Sequence, residues 1–227
     1  MSVSVTFHGH STFSIDVNGT KLLIDPFFTG NPMAKISADD VNPDYILLTH
    51  GHGDHVGDTI AIAKRTGATV IANFEIVGWL GNQGVEKAHP QHLGGGFHHP
   101  FGHVKFTVAH HGSGLPDGSY GGNPAGFLLT LDGKKIYISG DTALFSDMAL
   151  IGRHDLDLAI LCVGDNFTMG PDDSLIALDF LKPKAVIPCH YNTWPPISID
   201  VDAWKAGVSA ETTAEPIVLQ PEESYTL

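Results

Sequence analysis

The segment Thr49-His50-Gly51-His52-Gly53-Asp54-His55 places three imidazoles and one carboxylate within six consecutive positions. Neutral imidazole and carboxylate are donors that zinc, manganese and iron accept, so HxHxDH spacing points to a metal centre rather than to a polar surface loop. The intervening glycines let the backbone wrap closely around an ion. Three more polar residues stand where strands are predicted to end: His111 after residues 104–109, Asp141 after 135–139 and His190 after 185–188. Strand exits at one sheet edge can converge on one point. Five His and two Asp are too many for one tetrahedral ion, and they suit two ions that share a bridging carboxylate.

The elements that must position these residues can be read from the hydrophobic pattern. Residues 2–7 alternate polar and apolar, the period of a half-buried strand. A turn at His8-Gly9-His10-Ser11 leads to a second strand over 12–17. Asn18-Gly19 is a hairpin signal that leads to a third strand over 21–25. Beyond a Gly/Asn/Pro-rich loop (26–43), the rhythm becomes strand, loop, helix. A strand is predicted over 45–49, a helix over 56–65, a strand over 69–72 and a short helix over 74–80. Residues 82–100 read as loop. A long glycine-rich loop, 112–124, follows His111 and has the length of a substrate loop or lid. The second half repeats the plan, with a hairpin around Asp132-Gly133, then helices and strands up to a last strand at 217–219. Mixed elements in two similar halves predict a sandwich of two sheets with helices outside, formed as a single domain over 1–227.

Composition narrows the function. The 227-residue chain carries a formal net charge of −13 with only 12 Lys plus Arg, which argues against a nucleic-acid partner. No apolar run is long enough to span a bilayer. The N-terminal residues lack a signal-peptide pattern. The two cysteines, Cys162 and Cys189, have no Cys-x-x-Cys spacing and read as buried free thiols of a reducing compartment. A cytoplasmic location follows as the expectation.

Beyond HxHxDH, the chain carries GHS at His10, IDP at Asp25, LLTHGHGDHVGD from Leu47, GDTALFSDM from Gly140, GDNFTMGP from Gly164 and HYNT at His190. This series resembles the metallo-β-lactamase superfamily, and within it a branch of small metal-dependent hydrolases related to the ascorbate-6-phosphate lactonases. The resemblance extends over nearly the whole chain. It implies a four-layer αββα sandwich of the α+β class with a dinuclear site at one edge. By position, it implies that His50, His52 and His111 hold one ion, that Asp54, His55 and His190 hold the other, and that Asp141 bridges them. His110 departs from the pattern, which favours an aromatic residue there. Strand alternation turns only one of His110 and His111 toward the site, and the Gly-Ser that follows selects His111.

The expected reaction is hydrolysis of an ester, lactone, amide or phosphoester bond in a small molecule. Two divalent ions, zinc first and manganese or iron as alternatives, lower the pKa of a shared water from ~15.7 to around 7. Asp54 then orients that water and moves its proton. Asp25 is a candidate to fix an imidazole tautomer, or else only shapes the Asp25-Pro26 turn. His10 either lines the site or bonds locally, and Asn192 either faces substrate or closes a turn. His89, His92, His98, His99, His103 and His154 read as surface histidines, and Cys189 as a core thiol. Other readings are a non-catalytic metal-binding scaffold, a phosphodiesterase or nuclease-like activity, and di-iron redox chemistry. The last is disfavoured by His52, where such relatives carry a carboxylate. A homo-oligomer is compatible with the sequence.

Overall fold

The computed structural model describes residues 2–227. The first half forms β1 (Val3–Gly9), β2 (Thr12–Val17), β3 (Thr20–Ile24), β4 (Tyr45–Leu47), α1 (Gly53–Val56), α2 (Thr59–Thr66), β5 (Thr69–Asn73), α3 (Phe74–Asn82) and β6 (Ala88–Gln91). The second half forms β7 (Gly96–His99), β8 (Gly102–Val108), β9 (Ala125–Leu131), β10 (Lys134–Ile138), α4 (Met148–Ile151), β11 (Leu158–Cys162), α5 (Pro171–Leu181), β12 (Ala185–Cys189), α6 (Val201–Glu211), β13 (Glu215–Pro216) and β14 (Ser224–Thr226).

These strands make two seven-stranded sheets, ordered β14-β1-β2-β3-β4-β5-β6 and β13-β12-β11-β10-β9-β8-β7. Each sheet runs antiparallel through its hairpins and then parallel, a long loop joining β3 to β4 and helices lying in the crossovers β4–β5 and β10–β11–β12. The period of two sorts the side chains between layers. Leu22 and Ile24 of β3 enter the core between the sheets with Phe106, Phe127 and Leu129, whereas Leu23 joins Ile46, Val70 and the helical Ile62, Ile76 and Leu80 on the outer face. Helices α5 and α6 cover the outer face of the second sheet through Ala177, Leu178, Trp204 and Val208. The strands β11 and β12, buried on both faces, are accordingly continuous apolar runs. This is the αββα sandwich. It brings the exits of β1 and β4 from one sheet and of β8, β10 and β12 from the other to the same edge.

Several boundaries differ from the sequence reading. The helix predicted over 56–65 is two helices, α1 and α2, separated by Gly57 at φ 31°, where any Cβ would collide with the Pro26 carbonyl. Residues 82–100 contain the edge strands β6 and β7. Their His, Pro and Gly residues give no apolar alternation, so pairing with β5 and β8 alone defines them. No strand forms at 217–219. The chain instead pairs at Glu215–Pro216 and returns at Ser224–Thr226 to pair with β1 in the first sheet. Cys162 and Cys189 are free and buried, in register on adjacent strands.

Candidate metal centre

The strand β4 delivers Thr49 and His50 to the sheet edge, and α1 presents Asp54 and His55 one turn later. The turn is tight. A Cβ on Gly51 would sit 3.2 Å from both Leu115 and the Ser113 carbonyl, and the Gly51 N–H donates to Ser113 Oγ at 3.0 Å. Gly51 therefore makes room for the loop after His111. Gly53 has open space around its Cβ position, so no neighbour demands glycine there.

Potential ligand atoms gather in overlapping groups, each within 4.8 Å: His50, His52 and His111; His50, His55 and Asp141; and His10, Asp54, His55 and His190. Asp141 lies between them. Its Oδ2 is 3.1 Å from His190 Nε2, 3.4 Å from His55 Nε2, 3.5 Å from His111 Nε2 and 4.0 Å from His50 Nε2. His50 Nε2 and His52 Nδ1 are 3.0 Å apart. An ion with ligands at about 2.0–2.2 Å separates neighbouring donors by about 3.0–3.5 Å, so much of this spacing is that of a coordination shell. His55 Nε2 and Asp141 Oδ1 are both buried and carry no hydrogen bond. Leaving such atoms unpaired is costly, and cations held by the cluster would offer them partners.

Hydrogen bonding behind the candidate ligands fixes how two of them face. Asp25, 1% exposed, accepts from the Thr49 N–H at 2.8 Å, from Thr49 Oγ1 at 2.6 Å and from His55 Nδ1 at 2.8 Å. A carboxylate only accepts, so Thr49 spends its single proton on Asp25. Its oxygen must then accept from His50 Nδ1, 3.0 Å away. Both His50 and His55 thereby carry a proton on Nδ1 and turn Nε2 into the site. Asp25 thus fixes imidazole tautomers through one direct bond and one bond relayed by Thr49. Thr49 has no assigned role in the sequence reading. The signal for it is a hydroxyl at the end of an otherwise apolar strand, directly before the motif.

The electrostatics follow the same plan. Burial depresses the basicity of His50 well below its usual value, and the adjacent His55 charge adds to this. Burial acts the same way on His55, but Asp141 and Asp25 overcome it and hold its pKa well above the usual value. Asp141 is pushed up by burial and more strongly down by His55 and His190, so it stays ionised. The two carboxylates around His55 attract positive charge to a point that a proton or a metal ion can occupy.

One side of the cluster is closed and the other open. His50, His55, Asp141 and His190 are buried, whereas His52, Asp54 and His111 are partly exposed and form the mouth. His111 faces the cluster, its ring centroid 5.0 Å from that of His52. His110 is exposed and lies edge-on to Phe145. Asn192 is exposed, and its Oδ1 accepts from the Ile199 N–H, closing the turn after His190. His10 is fully buried and bonds to Asp54. His8 bonds instead to Glu222 and Ser14. Cys189 packs in the core behind His190.

A sandwich of two mixed sheets with histidine and aspartate converging at one edge defines the metallo-β-lactamase class of metal-dependent hydrolases. Residues 20–191 match the family described as Beta-lactamase superfamily domain, and the chain belongs to that superfamily. Within it, the chain is 50% identical over 231 residues to a UPF0173 metal-dependent hydrolase of Shouchella clausii, an alignment covering 99% of this chain and 100% of the relative. A UPF0173 metal-dependent hydrolase of Heliobacterium modesticaldum is 51% identical, with 98% and 97% of the two chains covered. Among solved structures, Igni18, a metallo hydrolase from Ignicoccus hospitalis, superposes with a TM-score of 0.91 at 34% identity, covering 100% of this chain and 99% of that one. The His/Asp clusters form a dinuclear metal-binding site consistent with metal-dependent hydrolysis of a small molecule. Among the described residues, no helix is long and apolar enough to cross a membrane.

Proposed function

We propose that the chain hydrolyses an ester, lactone, amide or phosphoester bond of a small molecule, with His50, His52 and His111 holding one divalent ion, Asp54, His55 and His190 the other, and Asp141 shared. The observation that carries this reading is the position of Asp141 Oδ2, within 3.1 to 4.0 Å of a nitrogen on each of His50, His55, His111 and His190. When bound, the ions supply an activated water at neutral pH and charge stabilisation for a developing oxyanion. The protein's part is to orient and to move protons. Asp25 and Thr49 keep the lone pairs of His50 and His55 directed inward. Asp54 is the carboxylate to accept and pass on a proton, because its side chain is 27% exposed whereas Asp141 is 3% exposed. Burial raises its pKa, but the His10 bond and the adjacent histidines lower it further, so it is an ionised acceptor at neutral pH.

The donor set of nitrogen and oxygen suits zinc, with manganese or iron as alternatives. The net charge of −13 supports a small-molecule substrate over nucleic acid and leaves a homo-oligomer open. A cytoplasmic location is supported by the two free buried thiols.

The test is elemental analysis of the purified protein alongside hydrolysis of bis(p-nitrophenyl) phosphate and p-nitrophenyl acetate. Two metal equivalents per chain with turnover of either substrate is the expected result, and the active substrate indicates the bond type. One equivalent or fewer, or two with neither substrate cleaved, refutes the proposal and favours a metal-binding scaffold.

A further inference from the structure

His10 is fully buried on the turn between β1 and β2, and its backbone adopts φ +58°. That conformation is uncommon for a residue with a side chain, and it persists only where surrounding structure enforces it. Four contacts do so. The His10 carbonyl accepts from the backbone N–H of His190 at 2.8 Å. Its ring lies 4.3 Å, centroid to centroid, from the ring of His190. Its Nε2 is 3.1 Å from Asp54 Oδ2, and its Nδ1 is 2.8 Å from Thr193 Oγ1. One residue from the first turn of the chain thus touches two members of the second cluster, Asp54 and His190.

The proton inventory decides what His10 does there. Asp54 can only accept, so the 3.1 Å contact is a hydrogen bond if His10 Nε2 carries the proton. In a neutral ring His10 Nδ1 is then an acceptor, and Thr193 donates to it. The opposite tautomer would set the Nε2 lone pair against a carboxylate oxygen. It would also leave the Thr193 proton only the Tyr191 carbonyl at 3.5 Å or Met33 sulfur at 3.4 Å. The shorter bonds favour the chain Thr193 Oγ–H to His10 Nδ1 and His10 Nε2–H to Asp54 Oδ2. His10 also has no surface through which a substrate could reach it.

We infer that His10 is a positioning residue for the second ion: its side chain fixes the Asp54 carboxylate, its carbonyl fixes His190, and Thr193 fixes its own tautomer. Resting on the two-ion reading above, this inference explains why a strained, fully buried histidine stands at the first turn. It also connects the Thr193-Trp194 stretch, whose indole lies 4.9 Å from the His10 ring, to the geometry of Asp54.

The experiment is Co2+ titration of the metal-free full-length protein, followed by visible absorption, for wild type, His10→Ala, His10→Gln and Thr193→Val. Removing such a support from a metal ligand weakens binding by roughly 10–100-fold. The expected result for His10→Ala is a second equivalent weakened by that factor, an unchanged first equivalent and an unchanged band shape. His10→Gln, whose amide can still donate to Asp54, recovers part of the loss, and Thr193→Val falls between wild type and His10→Ala. Folding is checked by the first equivalent, which does not involve His10. Loss of the second equivalent in both His10 variants with an altered band shape would make His10 a direct ligand and overturn the inference. Wild-type affinity in all three variants would reduce His10 to packing and overturn it equally. A wild-type chain that binds a single Co2+ refutes the two-ion site and this inference with it. Two tightly bound ions without hydrolysis refute only the proposed reaction, and the affinity comparison still decides the role of His10.

Discussion

The chain has fourteen histidines, and the fold gathers many of them at two separate places. At the strand exits lie His10, His50, His52, His55, His111 and His190. On the edge strands β6 and β7 and on β8 beside β7 lie His89, His98, His99 and His103. Ring spacing does not tell the two groups apart. His98 and His103 have centroids 4.5 Å apart, His89 and His99 4.8 Å, and His50 and His52 4.6 Å. The difference is what surrounds the rings. Among the described residues, no carboxylate lies within 4.0 Å of the four edge histidines, and none belongs to a potential three-ligand group. They pack instead on aromatic rings, His99 stacked on Phe101 at 5.3 Å and His89 on Phe97 at 4.4 Å. At the strand exits, Asp25, Asp54 and Asp141 stand among the rings, and Asp25 and Thr49 orient two of them. Density of imidazole therefore does not single out the candidate metal centre; interleaved carboxylates and fixed tautomers do.

The strongest challenge to this contrast is to remove ligands on one side only. Replacing Asp54 and His55 together with alanine is expected to eliminate one metal equivalent and reduce hydrolysis to background, as read by elemental analysis and initial rates. Replacing His89, His98, His99 and His103 together is expected to leave both equivalents in place. Unchanged turnover in the first variant, or a lost equivalent in the second, breaks the comparison.

Asp25→Asn tests whether orientation behind the ligands matters as much as the ligands themselves. Asparagine cannot accept from Thr49 and His55 as the carboxylate does, so metal affinity should fall by roughly 10–100-fold, measured by competition with a chelating dye. An affinity within twofold of wild type would reassign Asp25 to shaping the turn.

Metal removal should also be felt as stability. Each ion held at about 100 times its dissociation constant stabilises the folded state by roughly 2.7 kcal/mol, so two contribute roughly 5.4 kcal/mol. Chelation of both should then lower the melting temperature by roughly 10–20 °C for a chain of this size. The same shift is expected in the variant lacking His89, His98, His99 and His103, since those residues belong to no potential three-ligand group.

The smallest effect is a pH dependence at the edge cluster. Burial, with the adjacent His89 and His103 charges, lowers the pKa of His99 from 6.5 to about 4. Between these values the unfolded chain takes up a proton that the folded chain does not. This contribution to stability is therefore whole above about pH 6.5, is lost as the pH falls toward 4 and does not change further below that. Solvent around the half-exposed ring keeps the effect small. Melting curves of wild type and His99→Gln at pH 7 and pH 4.5 should show a slightly smaller acid destabilisation in the variant.

Much of the candidate site was legible without coordinates, because its candidate ligands follow a local rule. HxHxDH holds four candidate donors within six residues, and His111, Asp141 and His190 each stand just past an apolar strand with strong period-two or buried character. Apolar patterning likewise gave the central strands and the αββα class. The edge strands β6 and β7 were not legible. They bury little, so their residues obey no apolar pattern, and only hydrogen bonding to β5 and β8 makes them strands. Nor could the sequence choose between local and site roles for His10, or between turn and tautomer roles for Asp25. Those choices rest on contacts between residues far apart in the chain: 30 positions separate Asp25 from His55, 44 separate His10 from Asp54 and 183 separate His10 from Thr193. Which side chains can bind metal follows from their atoms and from short spacing, both present in the chain before it folds. Which nitrogen of His50 and of His55 faces inward follows from folding, because a tautomer is set by the hydrogen-bond partner brought to the opposite side of the ring.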